Sequence, residues 1–227
     1  MKRVWNSSLG KKYIMALTGL ALIGFVIAHL VGNLQIFLGR EALNRYGHFL
    51  QTTPELVWPL RLALLAMVVL HIIAAIALTR ENRAARPIAY AHYEIVAASY
   101  ASRTMFMSGL IVFVFIIYHL LHFTVQVPQI NLTGQDFRLL EDSKQRHDIY
   151  AMMVAGYRNP LVSGFYLLGM ALLSLHLSHG ISSLFQSLGL SNRVYMRFLD
   201  KVAKIAATAI FLGYASIPAA VLMGVVK

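Results

Sequence analysis

Four histidines, His29, His71, His119 and His176, lie inside four separate apolar stretches of the chain. An imidazole in hydrocarbon is costly unless something binds it, so each marks a functional position. Imidazole nitrogen is a ligand for metals, a hydrogen-bonding group and a proton carrier. Which of these applies depends on how the four are placed relative to one another, and that depends on the segments carrying them.

The 227-residue chain is 58% hydrophobic and 13% charged. A soluble domain of this size carries roughly 25% charged residues. The composition is that of an all-α integral membrane protein. Five apolar segments, at about 13–38, 58–78, 104–127, 161–185 and 198–226, each meet the roughly 20 residues of helix that a hydrocarbon core requires. Pro54, Pro59, Pro87, Pro128 and Pro160 are read as breakers between them, and Pro218 as a kink inside the last. No internal repeat is evident, so residues 1–227 are expected to form a single transmembrane domain. The apolar run after the basic residues 1–12 is too long for a signal-peptide core and is read as a retained first helix.

The chain has no cysteine, which excludes thiolate metal sites, iron–sulfur ligation by this chain and covalent c-type haem. The net charge of +11 flanks apolar spans and is read as topology control and contact with anionic lipid, not as nucleic-acid binding. One side of the five spans collects twelve Lys and Arg with three acids, and the other eight with six. The richer side is expected to be cytoplasmic. It holds the N-terminus and leaves the C-terminus and the long connection 128–160 outside.

This topology sets depths. At about 1.5 Å per helical residue, His29 lies about 25 Å from the inner boundary and His119 about 24 Å. His71 and His176 lie about 10 and 14 Å from the same side. The expectation is an outer pair, His29 with His119, and an inner pair, His71 with His176, separated by roughly 12 Å along the membrane normal. Two pairs of imidazoles at two levels suit two stacked bis-histidine haems enclosed by a five-helix bundle. Gly24, Ala28, Gly32, Ala74, Ala75, Gly169 and Gly180 near these histidines would permit close approach of helices or of a flat macrocycle. The spans are read as free of Asp and Glu, against a carboxylate-bridged metal site and an acid-based proton relay. His122 and His179 follow proposed ligands by three residues, share a helix face with them, and are read as hydrogen-bond partners of propionates, quinone or water. Ser7, Ser8, Lys11, Lys12 and Arg103 near the inner surface could hold haem propionates. His48, His92 and His147 are read as loop residues, His48 with a proton-handling role in view.

Ile27-Ala28-His29-Leu30-Val31-Gly32-Asn33, Tyr46-Gly47-His48-Phe49 and His71, forty-two residues after His29, resemble the dihaem cytochrome b membrane anchor of succinate:quinone oxidoreductases. So do Tyr118-His119, Gly164-Phe165-Tyr166 and Leu175-His176-Leu177-Ser178-His179-Gly180. This is the complex II family of succinate dehydrogenases and fumarate reductases, in its single-subunit, five-helix form, and the resemblance covers most of the chain. It implies two b-type haems with His29, His71, His119 and His176 as axial ligands to the haem iron. It implies a flavoprotein and an iron–sulfur subunit docked on the cytoplasmic face of a bacterial inner membrane. Electrons would pass through the inner and then the outer haem to a quinone, typically menaquinone. Glu41 and Glu55 are the candidates for the glutamate that some relatives place near the outer quinone.

The chain itself shows no Gly-rich nucleotide loop and no soluble domain, so succinate and flavin are expected to be handled by partners. The connection 128–160 could cap the quinone entrance or contact another copy in a homo-oligomer of the complex. Two other readings remain: a cytochrome b anchor of another membrane dehydrogenase, and a haem-free transporter that uses its histidines for protons or metal ions.

Overall fold

A computed structural model describes Trp5 and residues 7–85, 100–190 and 192–227, with the backbone alone at 193 and 194. Lys2, Arg3, Arg86, Pro87, His92 and Glu94 lie outside the described residues. Among the described residues the regular elements are all helices. The helices are α1 (Ser8–Leu34), α2 (Arg40–Thr52), α3 (Pro54–Ala84), α4 (Met105–His119), α5 (Ile149–Arg158), α6 (Pro160–Ser187) and α7 (Arg193–Leu222). Short helical turns occur at Gln35–Leu38, Tyr100–Arg103, Leu120–Thr124 and Phe137–Leu139. Five helical segments are long and apolar enough to cross a bilayer: Ser8–Leu38, Pro54–Ala84, Met105–Thr124, Pro160–Ser187 and Tyr195–Leu222.

The starts of these helices follow local chemistry. Ser7 caps α1, its side chain accepting from the Gly10 N–H at 2.9 Å. Asn159 caps α6 by accepting from the Leu161 N–H at 2.9 Å, with Pro160 at the first helical position. Pro54 opens α3 in the same manner, and Pro59 sits inside its second turn. Pro59 was expected to separate two spans. Its missing N–H removes one bond near the helix start, where the helix tolerates the loss. Pro218 is internal to α7, as expected. α7 stops at Leu222, short of the expected 226, because Gly224 takes φ +70° and turns the chain.

α1 packs against α3, α6 and α7; α6 also packs against α4 and α7. The end of the bundle holding the N-terminus of α1 is called here the near end, and the opposite end the far end. At the near end Lys11 on α1 meets Glu81 on α3 at 2.6 Å, and the Ser8 hydroxyl donates to the same carboxylate at 3.1 Å. Asp200 on α7 accepts a short hydrogen bond from Ser182 on α6. Asp200 lies inside the last expected span and corrects the expectation of spans free of acid; Glu81 lies beyond the expected span 58–78, on the longer helix α3. Both lie on membrane-length helices, at the near end, each with a partner.

The far end carries the larger core: Ile36, Leu43, Phe115, Tyr157, Val162, Tyr166 and Ile217 are among its buried residues. The polar helices α2 and α5 pack on each other over it. The connection expected to be a long loop therefore contains a helix. Asn44, with no exposed surface, joins the two helices. Its amide nitrogen donates to Asp148 at 2.9 Å, and its oxygen accepts from the Tyr150 N–H at 3.0 Å. Arg146 reaches Glu41 at 2.7 Å and Asp142 at 2.6 Å. Its hydrogen bond, and then that of Lys144, draws the Glu41 carboxyl down to about 2 from an ordinary 4.5. Asp142 is likewise held below its usual range, chiefly by Arg146.

The pH dependence follows. A carboxyl whose folded-state pKa is depressed contributes stability above its unfolded value and loses it as pH falls through the folded one. The Glu41 contribution is therefore complete above about pH 4.5 and is lost toward about pH 2. Hydrogen–deuterium exchange of α2 and α5 is expected to accelerate across that window. Arg146→Ala should show accelerated exchange already above pH 4.5, with no further step of that origin below it.

Candidate functional site

The four histidines come together as two pairs. The rings of His29 on α1 and His119 on α4 lie 5.7 Å apart between centroids, at 82° between planes. Those of His71 on α3 and His176 on α6 lie 6.4 Å apart, at 62°. All four are half-buried. His29 stacks on Phe25 at 5.3 Å and lies 6.3 Å from the Tyr214 ring of α7. His119 is flanked by Phe115, Phe123 and Tyr166. His29 and His119 form the far pair, and His71 and His176 the near pair.

The near pair is tied to the neighbouring helices through hydroxyls. His71 Nδ1 is 3.1 Å from the Thr18 hydroxyl of α1, and His176 Nδ1 is 3.3 Å from the Ser108 hydroxyl of α4. A glycine follows each hydroxyl residue. A Cβ on Gly19 would stand 3.4 Å from His71 Cε1, and one on Gly109 3.3 Å from His176 Cε1. These contacts also fix the levels. Thr18 precedes His29 by eleven residues and Ser108 precedes His119 by eleven. At helical rise that is about 16 Å along each axis. That spacing is of the same order as the roughly 12 Å read from the sequence.

His122 is not in a pair. It is completely buried beside Phe123, at 4.0 Å between ring centroids, with Phe137 and Tyr166 around it. Its Nδ1 is 3.0 Å from the Tyr166 hydroxyl, which lies 3.4 Å from His119 Nδ1, and its Nε2 is buried without a partner. The turn at Leu120–Thr124 is a π-helix, a wider turn often found at functional positions, and it follows His119 directly. The sequence reading missed Tyr166 as the link between His119 and His122, and Thr18 and Ser108 as partners of the near pair. The Thr-Gly and Ser-Gly steps, each eleven or ten residues before a histidine, were the available signal.

The remaining candidates fall elsewhere. His179 is half-buried on α6, on the side of the near end where Asp200 lies. Ser8 is engaged with Glu81, Lys12 is exposed, and the exposed Arg103 stacks on Tyr100 at 5.9 Å. His48 lies in α2, not in a loop; His147 is in a loop, with its Nε2 3.0 Å from Gln126. Glu41 is committed to Arg146 and Lys144, and Glu55 sits in the first turn of α3.

Two imidazoles binding one metal ion from opposite sides, at about 2 Å per metal–nitrogen bond, put their ring centroids roughly 6 Å apart. Both pairs match that span. Among the described residues no group of three or more His, Cys, Asp or Glu side chains gathers. No protein-family model, curated protein or solved structure matches the chain.

Proposed function

We propose that this chain is the haem-bearing membrane anchor of a bacterial succinate dehydrogenase or fumarate reductase, passing electrons between an iron–sulfur subunit and membrane quinone. The observation that carries the reading is the meeting of four histidines on membrane-length helices as two pairs, with ring centroids 5.7 and 6.4 Å apart, at two levels of the bundle. The family resemblance of the ordered histidine set supplies the choice of complex.

In this reading His71 and His176 hold the near haem, and His29 and His119 the far one. Haem, when bound, supplies one-electron chemistry whose potential depends on its axial ligands and their surroundings. The protein's work is placement. α1 and α3 each contribute a ligand, as do α4 and α6, so each pair spans two different helices and cannot form before the bundle does. Phe25, Phe115 and Tyr214 line the far pair with aromatic surface. The basic near end would face the cytoplasm and the flavoprotein and iron–sulfur subunits. The far end, capped by α2 and α5, would be the quinone side, with menaquinone the expected type.

The test is haem content per chain, measured with a redox titration of the purified membrane complex and succinate-dependent reduction of its haems. Two b-type haems with separate midpoints, both reduced by succinate, are expected. Two haems reduced instead by hydrogen or formate would transfer the anchor to another dehydrogenase. A chain with no Soret band would overturn the electron-transfer reading and favour a histidine-using transporter.

A further inference from the structure

The near pair has a feature that ligation alone does not require. Each of its histidines meets a hydroxyl from a different helix, and each hydroxyl has already spent its proton. Thr18 Oγ1 donates to the Ile14 carbonyl at 2.7 Å, and Ser108 Oγ donates to the Met105 carbonyl at 3.0 Å. A hydroxyl has one proton to donate and lone pairs to accept with. With those carbonyls taking the hydroxyl protons, Thr18 and Ser108 are placed to accept from the imidazoles. That arrangement puts the hydrogen on Nδ1 of His71 and of His176.

A neutral imidazole with its hydrogen on Nδ1 has its lone pair on Nε2. Both rings of the near pair are thus set in the tautomer that leaves the Nε2 lone pair available to a metal. The same device appears twice: Thr18-Gly19 for His71 and Ser108-Gly109 for His176. The glycine lets the ring lie against the helix backbone, and the preceding hydroxyl reads its Nδ1. Eleven residues make three helical turns and about 20° more. Thr18 and His29 therefore lie on one face of α1, and Ser108 and His119 on one face of α4. Each of these two helices serves both levels from a single face: a ligand for the far pair and a hydrogen-bond acceptor for the near pair. The far pair is built differently, since His119 Nδ1 meets a phenol shared with His122.

We infer that Thr18 and Ser108 are positioning residues of the near haem, holding His71 and His176 as Nε2 ligands and lowering that haem's midpoint potential relative to the same ligands without acceptors. This rests on the haem reading above. A hydroxyl that donates to a carbonyl is polarised into a better acceptor. An accepted Nδ1–H makes the imidazole a more basic ligand, and a more basic ligand favours ferric over ferrous iron. Loss of such a partner commonly changes metal affinity 10- to 100-fold. A tenfold change in the ferric-to-ferrous affinity ratio is a 59 mV shift for a one-electron couple.

The experiment is a redox titration with low-temperature EPR of the ferric haems, on the intact complex carrying Thr18→Val or Ser108→Ala. Each variant is expected to raise one midpoint, by up to about 59 mV for a tenfold change in the ferric-to-ferrous ratio, and to move one EPR signal. It should be the haem lost in His71→Ala, with the other haem unchanged. Thr18→Ser and Ser108→Thr retain the acceptor and should keep the native values. If Thr18→Val does not assemble, Ser108→Ala decides alone by the same criterion. Unchanged midpoints and spectra in variants that hold both haems would overturn the inference while leaving the haem reading intact. So would a shift confined to the other haem. Absence of haem from the native complex would instead defeat the reading beneath it.

Discussion

Replacing His71 or His176 with alanine is expected to halve the haem content and to remove one of two redox midpoints, while the spectrum of the other haem persists. His29→Ala and His119→Ala should remove the opposite one. The reciprocity is the strong part of the expectation. The rings pair across helices, His71 with His176 and His29 with His119, so variants from α3 and α6 must share one phenotype and variants from α1 and α4 the other. Pairing by neighbouring helix would group His29 with His71 instead. His122→Ala and His179→Ala should keep both haems. His122 is sealed among Phe123, Phe137 and Tyr166, and a macrocycle could reach its nitrogen only by opening that cluster. Loss of a haem from His122→Ala in a folded complex would mean that the far ligand is misassigned. Difference spectra and haem quantification on each variant complex measure all six outcomes.

The second large effect is expected at Gly169. A Cβ there would meet the Phe115 ring, with Cε2 at 2.7 Å and Cγ at 2.8 Å. Phe115 is itself buried, stacks on His119 at 6.2 Å and meets Tyr166 edge-on at 5.2 Å. An aromatic ring cannot give way as a flexible side-chain terminus can, so α4 and α6 must part or the ring must leave its rotamer. Overpacking of this kind costs about 1–3 kcal/mol. Gly169→Ala should lower the thermal midpoint of the complex, and it should disturb the far haem before the near one because the strain arrives next to His119. Gly164→Ala is the control, as nothing stands within 4 Å of a Cβ at that position. Equal melting of the two variants would show that α4 and α6 separate at little cost.

Much of this architecture could be read along the chain. Five apolar runs of sufficient length define five helices, because a bilayer offers backbone groups no partners and leaves helix as the available solution. The depth of each histidine followed from helical rise, since the positions of the charged ends are tied to the water interface. His29 could therefore be matched with His119, and His71 with His176, without knowing which helices touch. Depth along a membrane is nearly one-dimensional, and sequence is good at one dimension.

What escaped the sequence reading depends on rotation and contact. The helix α5, inside a connection expected to be loop, is held by Asn44 of α2 reaching Asp148, a pairing 104 residues long that no local pattern announces. The placement of His48 in α2 rather than in a loop has the same origin. Glu81 and Asp200 lie on membrane-length helices because each finds a partner on a neighbouring helix. The separation of His122 from the two histidine pairs was likewise out of reach: three residues of spacing put it on the face of His119, and only the aromatic cluster and the π-turn enclose it. Thr18 and Ser108 are the clearest case. As residues they are ordinary small polar positions in apolar helices. Their significance lies in the rotation of α1 against α3 and of α4 against α6, which brings a spent hydroxyl to each Nδ1. Composition and spacing determined that this chain is a five-helix membrane bundle with histidines at two levels. Tertiary packing decided which atoms of those histidines are free, because a tautomer is set by the group that reaches the ring from another helix.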